Sequence, residues 1–177
     1  MSNVVNVRIS ELKKIGYEDF KSWSKNPKNI YIGRQNDFNG IKGSKWNNPF
    51  KLATYGRSGC IDEFEKYLRK NKELMSSLPE LEGKTLGCWC APEACHGDVL
   101  VKLFNEHKHS LDVEAENKEV RRLKNRIKNC RKKITAISKL EACDLASLKP
   151  EQVTKIGQKS ELVKEISMLE ASLEILE

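Results

Sequence analysis

Apolar residues follow two patterns along this chain. In its first half, short runs rich in β-branched or aromatic residues, Val4 to Ile9, Asn29 to Gly33 and Lys84 to Cys90, predict strands bounded by turn formers. Between and after them the spacing lengthens to the helical period. Ile61, Phe64, Tyr67, Leu68 and Leu74 share one face of a helix predicted over Ile61 to Met75, and Val99, Leu100, Leu103 and Phe104 share one over Asp98 to Asn105. Strands interleaved with helices predict an α/β fold with a small, mainly parallel sheet flanked by helices. Ligands of such sheets bind beyond the carboxyl ends of the strands.

After about Leu111 the pattern becomes purely helical: aromatic residues cease and Gly157 is the only glycine. Val120, Leu123, Ile127, Cys130, Ile134 and Ile137 form one stripe, and Leu162, Ile166, Leu169, Leu173 and Leu176 a second. The pattern breaks from Cys143 to Lys149, and Pro150 suits the first turn of a new helix, where its missing N–H costs nothing. These features predict a C-terminal α-helical hairpin over residues 113–177, following an α/β pocket domain over residues 1–112. A lone hairpin buries little, so the stripes pack on each other, on the domain, or on a helical protein partner through residues 160–176.

Composition fits one domain with an appendage: 177 residues, 38% hydrophobic and 32% charged. No run approaches the roughly 18–20 apolar residues of a membrane span, and no signal-peptide pattern opens the chain. Three of the six cysteines, Cys88, Cys90 and Cys95, fall within eight residues, which without an export signal suggests a metal or reactive site rather than a disulfide frame. The expectation is a cytoplasmic protein in a reducing compartment.

The net charge of +7 is concentrated: residues 117–140 carry ten Lys or Arg against Glu119 alone, leaving −2 for the rest. Arg121, Arg122, Lys124, Arg126, Lys128, Arg131, Lys132 and Lys133 are the candidates for contact with RNA, a ribosome or another polyanion. The other reading is a coiled-coil hairpin whose cations are its wet face. The succession Leu123…Arg131-Lys132-Lys133-Ile134…Ile137…Leu140, then Leu148…Gln152…Lys155-Ile156…Leu162…Leu169-Glu170, resembles the C-terminal helical segment of PYM and of eukaryotic initiation factor 2A. That resemblance implies ribosome and translation-factor binding, although the Leu-Gly ending of those proteins is missing here.

Three motifs fall at predicted strand ends. Tyr31-Ile32-Gly33-Arg34 exposes a cation just after a strand. Gly43-Ser44-Lys45-Trp46-Asn47-Asn48-Pro49-Phe50 supplies Lys45 for phosphate, Trp46 for stacking on a base and Asn48 as donor and acceptor; loop anchoring and turn formation are the plainer roles of the last two. In Gly87-Cys88-Trp89-Cys90-Ala91-Pro92-Glu93-Ala94-Cys95-His96-Gly97-Asp98, strand alternation puts Cys88 and Cys90 on one face and Trp89 on the other, and Cys95-His96 open a helix. Three readings stay open for this segment. Cys88, Cys90, Cys95 and His96 are the right number and type for tetrahedral zinc, at an unorthodox C-x-C-x4-C-H spacing. Alternatively Cys90, Cys95 and His96 serve as donor, acid or nucleophile in a pocket with Arg34, Lys45, Trp46, Asn48 and Asp98. Or the cysteines are small core residues, with His96 and Asp98 serving the helix start.

Together, Val5-Asn6-Val7-Arg8, Tyr31-Ile32-Gly33-Arg34, Trp46-x-Asn48-Pro49-Phe50 and the segment Leu86 to Leu100 resemble a domain-of-unknown-function family of bacteria, phages and large DNA viruses, over residues 3–106. The resemblance implies an α/β domain and no particular activity. The strand-Cys…Cys-His-helix element is also similar to a second uncharacterised α/β family, in which an arginine stands where this chain has Gly97. The expectation is an α/β domain that binds a nucleotide-like or phosphorylated ligand, with hydrolysis or group transfer as the chemistry its polar residues fit, carried to RNA or a ribosome by the basic hairpin. The alternative is a non-enzymatic RNA-, ribosome- or translation-factor-binding protein on a scaffold stapled by zinc.

Overall fold

The central strand of the sheet is the last in sequence. In a computed structural model that describes residues 3–143 and 148–176, β3 (Thr85–Cys88) lies between β1 (Asn3–Asn6) and β2 (Asn29–Tyr31), parallel to both. The small parallel sheet, its flanking helices and the C-terminal helical hairpin are those read from the sequence.

Register sorts the side chains. Val4, Leu86 and Ile30 stand level and pack into one core with Phe64, Leu68, Leu100 and Leu103. Val5, Gly87 and Tyr31, one residue on, face the other core, around Val7, Leu12 and Trp23. Gly87 leaves the space that Trp23 fills: a Cβ there would lie 2.3 Å from the indole Cη2.

Helices cover both faces. α1 (Ile9–Lys14) and α2 (Phe20–Ser24) follow β1 and bring in Leu12 and Trp23. α2 is held by a capping box in which Asp19 accepts from the Ser22 N–H at 2.6 Å and the Ser22 hydroxyl accepts from the Asp19 N–H. α3 (Leu52–Lys70) and α4 (Lys72–Ser77) lie between β2 and β3. α3 is kinked at Gly56, whose φ of 68° sets its first turn apart from the helix that begins at Arg57.

Several boundaries differ from expectation for identifiable reasons. The first strand stops at Asn6 because the Arg8 N–H turns back onto the Asn6 side chain at 2.9 Å and α1 starts at Ile9. The helix predicted over Ile61 to Met75 is α3 and α4, divided at Asn71, whose side chain accepts from the Leu74 N–H and starts a new helix. The helix predicted over Asp98 to Asn105 is α5, running His96–Glu141.

The chain divides into two compact units, Met1–His109 and Ser110–Glu177, and the division falls within α5. In the first, Lys102 and Glu106 of α5 pair with Glu65 and Arg69 of α3, each at 2.9 Å. In the second, α6 (Pro150–Gly157) begins with Pro150 in its first turn, as expected, and α7 (Lys159–Leu176) follows. Residues 144–147 of the expected break lie outside the described residues. Leu123 and Ile127 of α5 bury themselves with Leu169 of α7, flanked by Ile166, Leu173 and Leu176, so the second stripe packs within the hairpin. No described helix is long and apolar enough to cross a membrane.

Candidate functional site

The ends of all three strands open onto one cleft of about 930 Å³. Asn6 and Arg8 reach it from β1, Gly33 and Arg34 from β2, and Cys88, Trp89 and Cys90 from β3; Arg57, just past the kink in α3, and His96, the first residue of α5, complete the polar wall. This is the carboxyl edge of a parallel sheet, where ligands of such folds bind.

The Tyr-Ile-Gly-Arg turn is built around one hydroxyl. The Tyr31 hydroxyl donates to the Arg34 carbonyl at 2.7 Å and accepts from the Trp89 indole N–H at 2.8 Å. To do so the ring crosses Gly33, where a Cβ would sit 2.3 Å from Oη. Burial pushes the Tyr31 phenol up from its ordinary value, against the lowering effect of the Trp89 bond, and keeps it a donor. Arg34 then spends two of its donors on the neighbouring loop, Nε on the Asn48 carbonyl and Nη2 on the Phe50 carbonyl, both at 2.6 Å.

That loop is more structural than expected. Trp46 is 2% exposed and belongs to the main core, with the Lys45 ammonium over its ring and paired with Glu80. Neither residue lines the cleft, so stacking on a ligand is not what Trp46 does: an indole of that size is more use filling the core. Asn48 does reach the cleft, but its amide is occupied, donating to the Cys60 carbonyl and accepting from the Phe50 N–H, each at 2.8 Å.

The cysteine-rich segment follows the alternation read from the sequence, with Cys88 and Cys90 packed against the main core and Trp89 against the other. The Asn6 amide donates to the carbonyls of Trp89 and Ala91 and pins the chain as it leaves the sheet. Cys95 caps α5: its sulfur accepts from the Gly97 N–H at 3.3 Å, while the Asp98 carboxylate reaches back to the Cys95 N–H at 3.0 Å. Asp98 thus serves the helix start and lies away from the cleft. A Cβ at Gly97 would stand 2.9 Å from both Val4 and Ile32, so the arginine of the second similar family would require those two side chains to shift.

The three sulfurs of Cys88, Cys90 and Cys95 all lie within 4.8 Å of one another and could hold a metal ion. His96 is buried beside them, its Nε2 2.9 Å from the Ile32 carbonyl oxygen, so Nε2 carries the proton and Nδ1 presents a lone pair. That nitrogen is 3.7 Å from the sulfurs of both Cys88 and Cys95. Burial pulls the His96 imidazole down from its ordinary value, partly opposed by the Ile32 bond, and keeps it neutral. Among the sulfurs, hydrogen bonding first from Cys88 and then from Cys95, reinforced by the Arg57 guanidinium, lowers the Cys90 thiol. The bond with Cys90 pushes Cys88 up to about 11, against a lowering bond from Cys95, and bonds with Cys88 first and then with Cys90 push Cys95 up as well. Without a metal the thiol held lowest of the three is Cys90, the half-buried member at the cleft.

Sequence reasoning found Arg34, Asn48, Cys88, Cys90 and His96, which the fold brings together at the cleft, and Cys95, which stands just behind it. It missed Arg8, Asn6, Arg57 and Trp89. Arg8 follows a strand just as Arg34 does, and that position was its signal. Arg57 had none, because it depends on the kink at Gly56.

Fold and site define a small three-stranded parallel α/β protein with a cysteine–histidine cluster at the carboxyl edge of its sheet. The chain belongs to the family described as domain of unknown function DUF4326, whose model matches residues 16–106, in line with the phage and large-virus resemblance of its motifs. It is 37% identical over 86 residues to an uncharacterized protein of Acanthamoeba polyphaga mimivirus, covering 42% of this chain and 65% of that one. It is 33% identical over 83 residues to an uncharacterized 12.4 kDa protein of the nrdA-td intergenic region of Enterobacteria phage T4, covering 44% of this chain and 77% of that one. No solved structure matches the chain.

Proposed function

We propose that the α/β unit binds a phosphate-bearing, nucleotide-like ligand in the cleft at the carboxyl edge of its sheet. The observation that carries this reading is the convergence of Arg8, Arg34 and Arg57, from three separate elements, on one cleft beside the half-buried Trp89. Arginine presents a planar set of donors that matches phosphate, and Arg34 is pre-organised by its two carbonyl bonds. Binding fits the cluster better than nucleophilic catalysis does, because the His96 lone pair faces Cys88 and Cys95 and not the Cys90 sulfur at the cleft.

Calorimetric titration of the full chain with nucleoside monophosphates, nucleoside diphosphates, inorganic phosphate and unphosphorylated nucleosides tests this. Phosphorylated nucleotides are expected to bind and bare nucleosides to fail, with Arg8→Gln weakening the interaction about tenfold, the scale of one charge-assisted contact. Absence of heat with every phosphorylated probe at about 1 mM, a threshold near −4 kcal/mol, would overturn the reading.

A second proposal concerns the hairpin. Arg122, Arg126 and Arg131 pair with Glu119, Glu165 and Glu170, whereas Arg121, Lys128 and Lys132, which share one stripe of α5, make no ion pair among the described residues. We propose that this stripe contacts an RNA phosphate backbone without reading sequence.

A further inference from the structure

We propose that Cys88, Cys90, Cys95 and His96 Nδ1 form a four-ligand zinc site that ties the end of β3 to the start of α5 and builds one wall of the cleft. The inference does not depend on what the cleft binds.

Four observations converge on it. The first is spacing. A tetrahedral S3N site has edges of about 3.8 Å between sulfurs and about 3.6 Å between sulfur and nitrogen. The distances from His96 Nδ1 to the sulfurs of Cys88 and Cys95, 3.7 Å each, match the second figure; the set whose ligand atoms all fall within 4.8 Å of one another is the three sulfurs, so the imidazole joins it from the side of Cys88 and Cys95.

The second is the tautomer. A metal-binding histidine characteristically donates its remote N–H to a carbonyl or carboxylate, which fixes the ring and leaves the other nitrogen free to coordinate. His96 does this through Nε2 to the Ile32 carbonyl, and the edge of its ring meets Phe64 at 89° with centroids 5.1 Å apart, so the imidazole is held on two sides.

The third is charge. Three thiolates and a neutral imidazole around a divalent ion leave a net charge of −1. The Arg57 guanidinium, shared between Cys90 and its ion-pair partner Glu93, lies beside it, and the Gly97 N–H, in the first turn of α5, donates to the Cys95 sulfur at 3.3 Å. On metal binding the remaining thiol protons leave to solvent and no electrons move.

The fourth is what the chain places between the ligands. Cys88 and Cys90 share a face because they sit two apart at a strand end, and the turn through Ala91 and Pro92 returns the chain so that Cys95 caps a helix whose first residue is the fourth ligand. That return accounts for the unorthodox spacing. Soft thiolates with one imidazole in a tetrahedral array select zinc over hard cations.

The test uses the full chain, purified without a metal-affinity tag. Elemental analysis is expected to find one zinc per chain. After chelator stripping under reductant, Co2+ is expected to give intense tetrahedral d–d absorption and a thiolate charge-transfer band that saturate at one equivalent and bleach on adding Zn2+. Cys90→Ser should lower the charge-transfer intensity by about a third, one thiolate of three, and Cys60→Ser should leave it unchanged. If Cys90→Ser does not fold, the band intensity of the unaltered chain still counts its thiolates. A chain that purifies without zinc and gives only the pale spectrum of octahedral Co2+ overturns the proposal. The nucleotide titrations on the zinc-loaded chain stand apart from this result, so either reading can fail alone.

Discussion

Arg34 donates from Nε to the main-chain carbonyl of Asn48 at 2.6 Å and so ties the turn after β2 to the loop carrying Asn-Pro-Phe. A second bond, from Nη2 to the Phe50 carbonyl, makes the contact a two-point clamp that fixes both the loop and the orientation of the guanidinium in the cleft.

A lysine can satisfy one of those carbonyls and not both, because an ammonium is a point charge without the planar fork. Arg34→Lys is therefore expected to lower stability by about 1–2 kcal/mol, the scale of one lost charge-assisted hydrogen bond, and to open the loop to cleavage. Limited proteolysis, with peptide mapping of cuts between residues 48 and 57, reads the loop directly. Unchanged protection would show that Phe50, edge-on to Tyr55 and Tyr67, anchors the loop without the arginine.

Gly87 gives a prediction on the other face of the sheet. An alanine there places its Cβ 2.3 Å from Trp23 Cη2 and 2.6 Å from Val7, and Trp23 is fully buried. Gly87→Ala is expected to cost about 2–3 kcal/mol or more by overpacking, and to change the near-ultraviolet circular dichroism of the tryptophans. Urea denaturation followed by fluorescence measures the cost. A value near zero would mean that the Trp23 ring is not seated on the central strand.

Glu65 makes stability depend on pH. Hydrogen bonds from Lys102 first, and from Arg69, hold its carboxyl below the ordinary value of 4.5. A carboxylate with a lowered folded pKa stabilises the protein above its unfolded pKa, and the benefit disappears as pH falls through the folded value. Glu65→Gln is expected to lose roughly 0.5–1 kcal/mol at neutral pH, and the two proteins should begin to converge in stability as pH drops below the ordinary value of 4.5 and meet once it has passed the lowered folded value. Denaturation curves at a series of pH values test this. A difference that stays constant into acid would assign the effect to packing between α3 and α5 and not to charge.

How much of this was legible in the sequence depends on how local each signal is. The alternation of Cys88, Trp89 and Cys90 is a property of the strand itself, so it could be read without the rest of the fold. The central place of β3 could not, because it follows from pairing with strands more than fifty residues away. α1 and α2 went unseen because each buries a single large side chain, Leu12 and Trp23, too few to show a period. In sequence Trp46 fits a loop anchor and a stacking platform alike. Only the folded chain shows that the indole turns inward while Lys45 covers its outer face. The hairpin was legible as two stripes, but the pairing of Arg126 and Arg131 with Glu165 and Glu170 needed the packing of α7 on α5.

Those ion pairs sharpen the last prediction. Segment 117–140 carries a net +9 in sequence, yet cations held by glutamates within the hairpin release few counterions on meeting RNA, so the salt dependence should follow the unpaired ones. For a single strand, log Kobs falls with log salt at about 0.7 per phosphate neutralised. Replacing Arg121, Lys128 and Lys132 together by Gln should therefore shallow the slope by about 2, with helicity by circular dichroism unchanged because all three side chains are exposed. Replacing Arg126 and Arg131 by Gln should shallow it less, while loosening the hairpin by freeing Glu165 and Glu170. Equal slopes in all three proteins would show that the stripe does not meet the phosphates, and an unaltered chain with no salt-dependent binding would remove RNA as its partner.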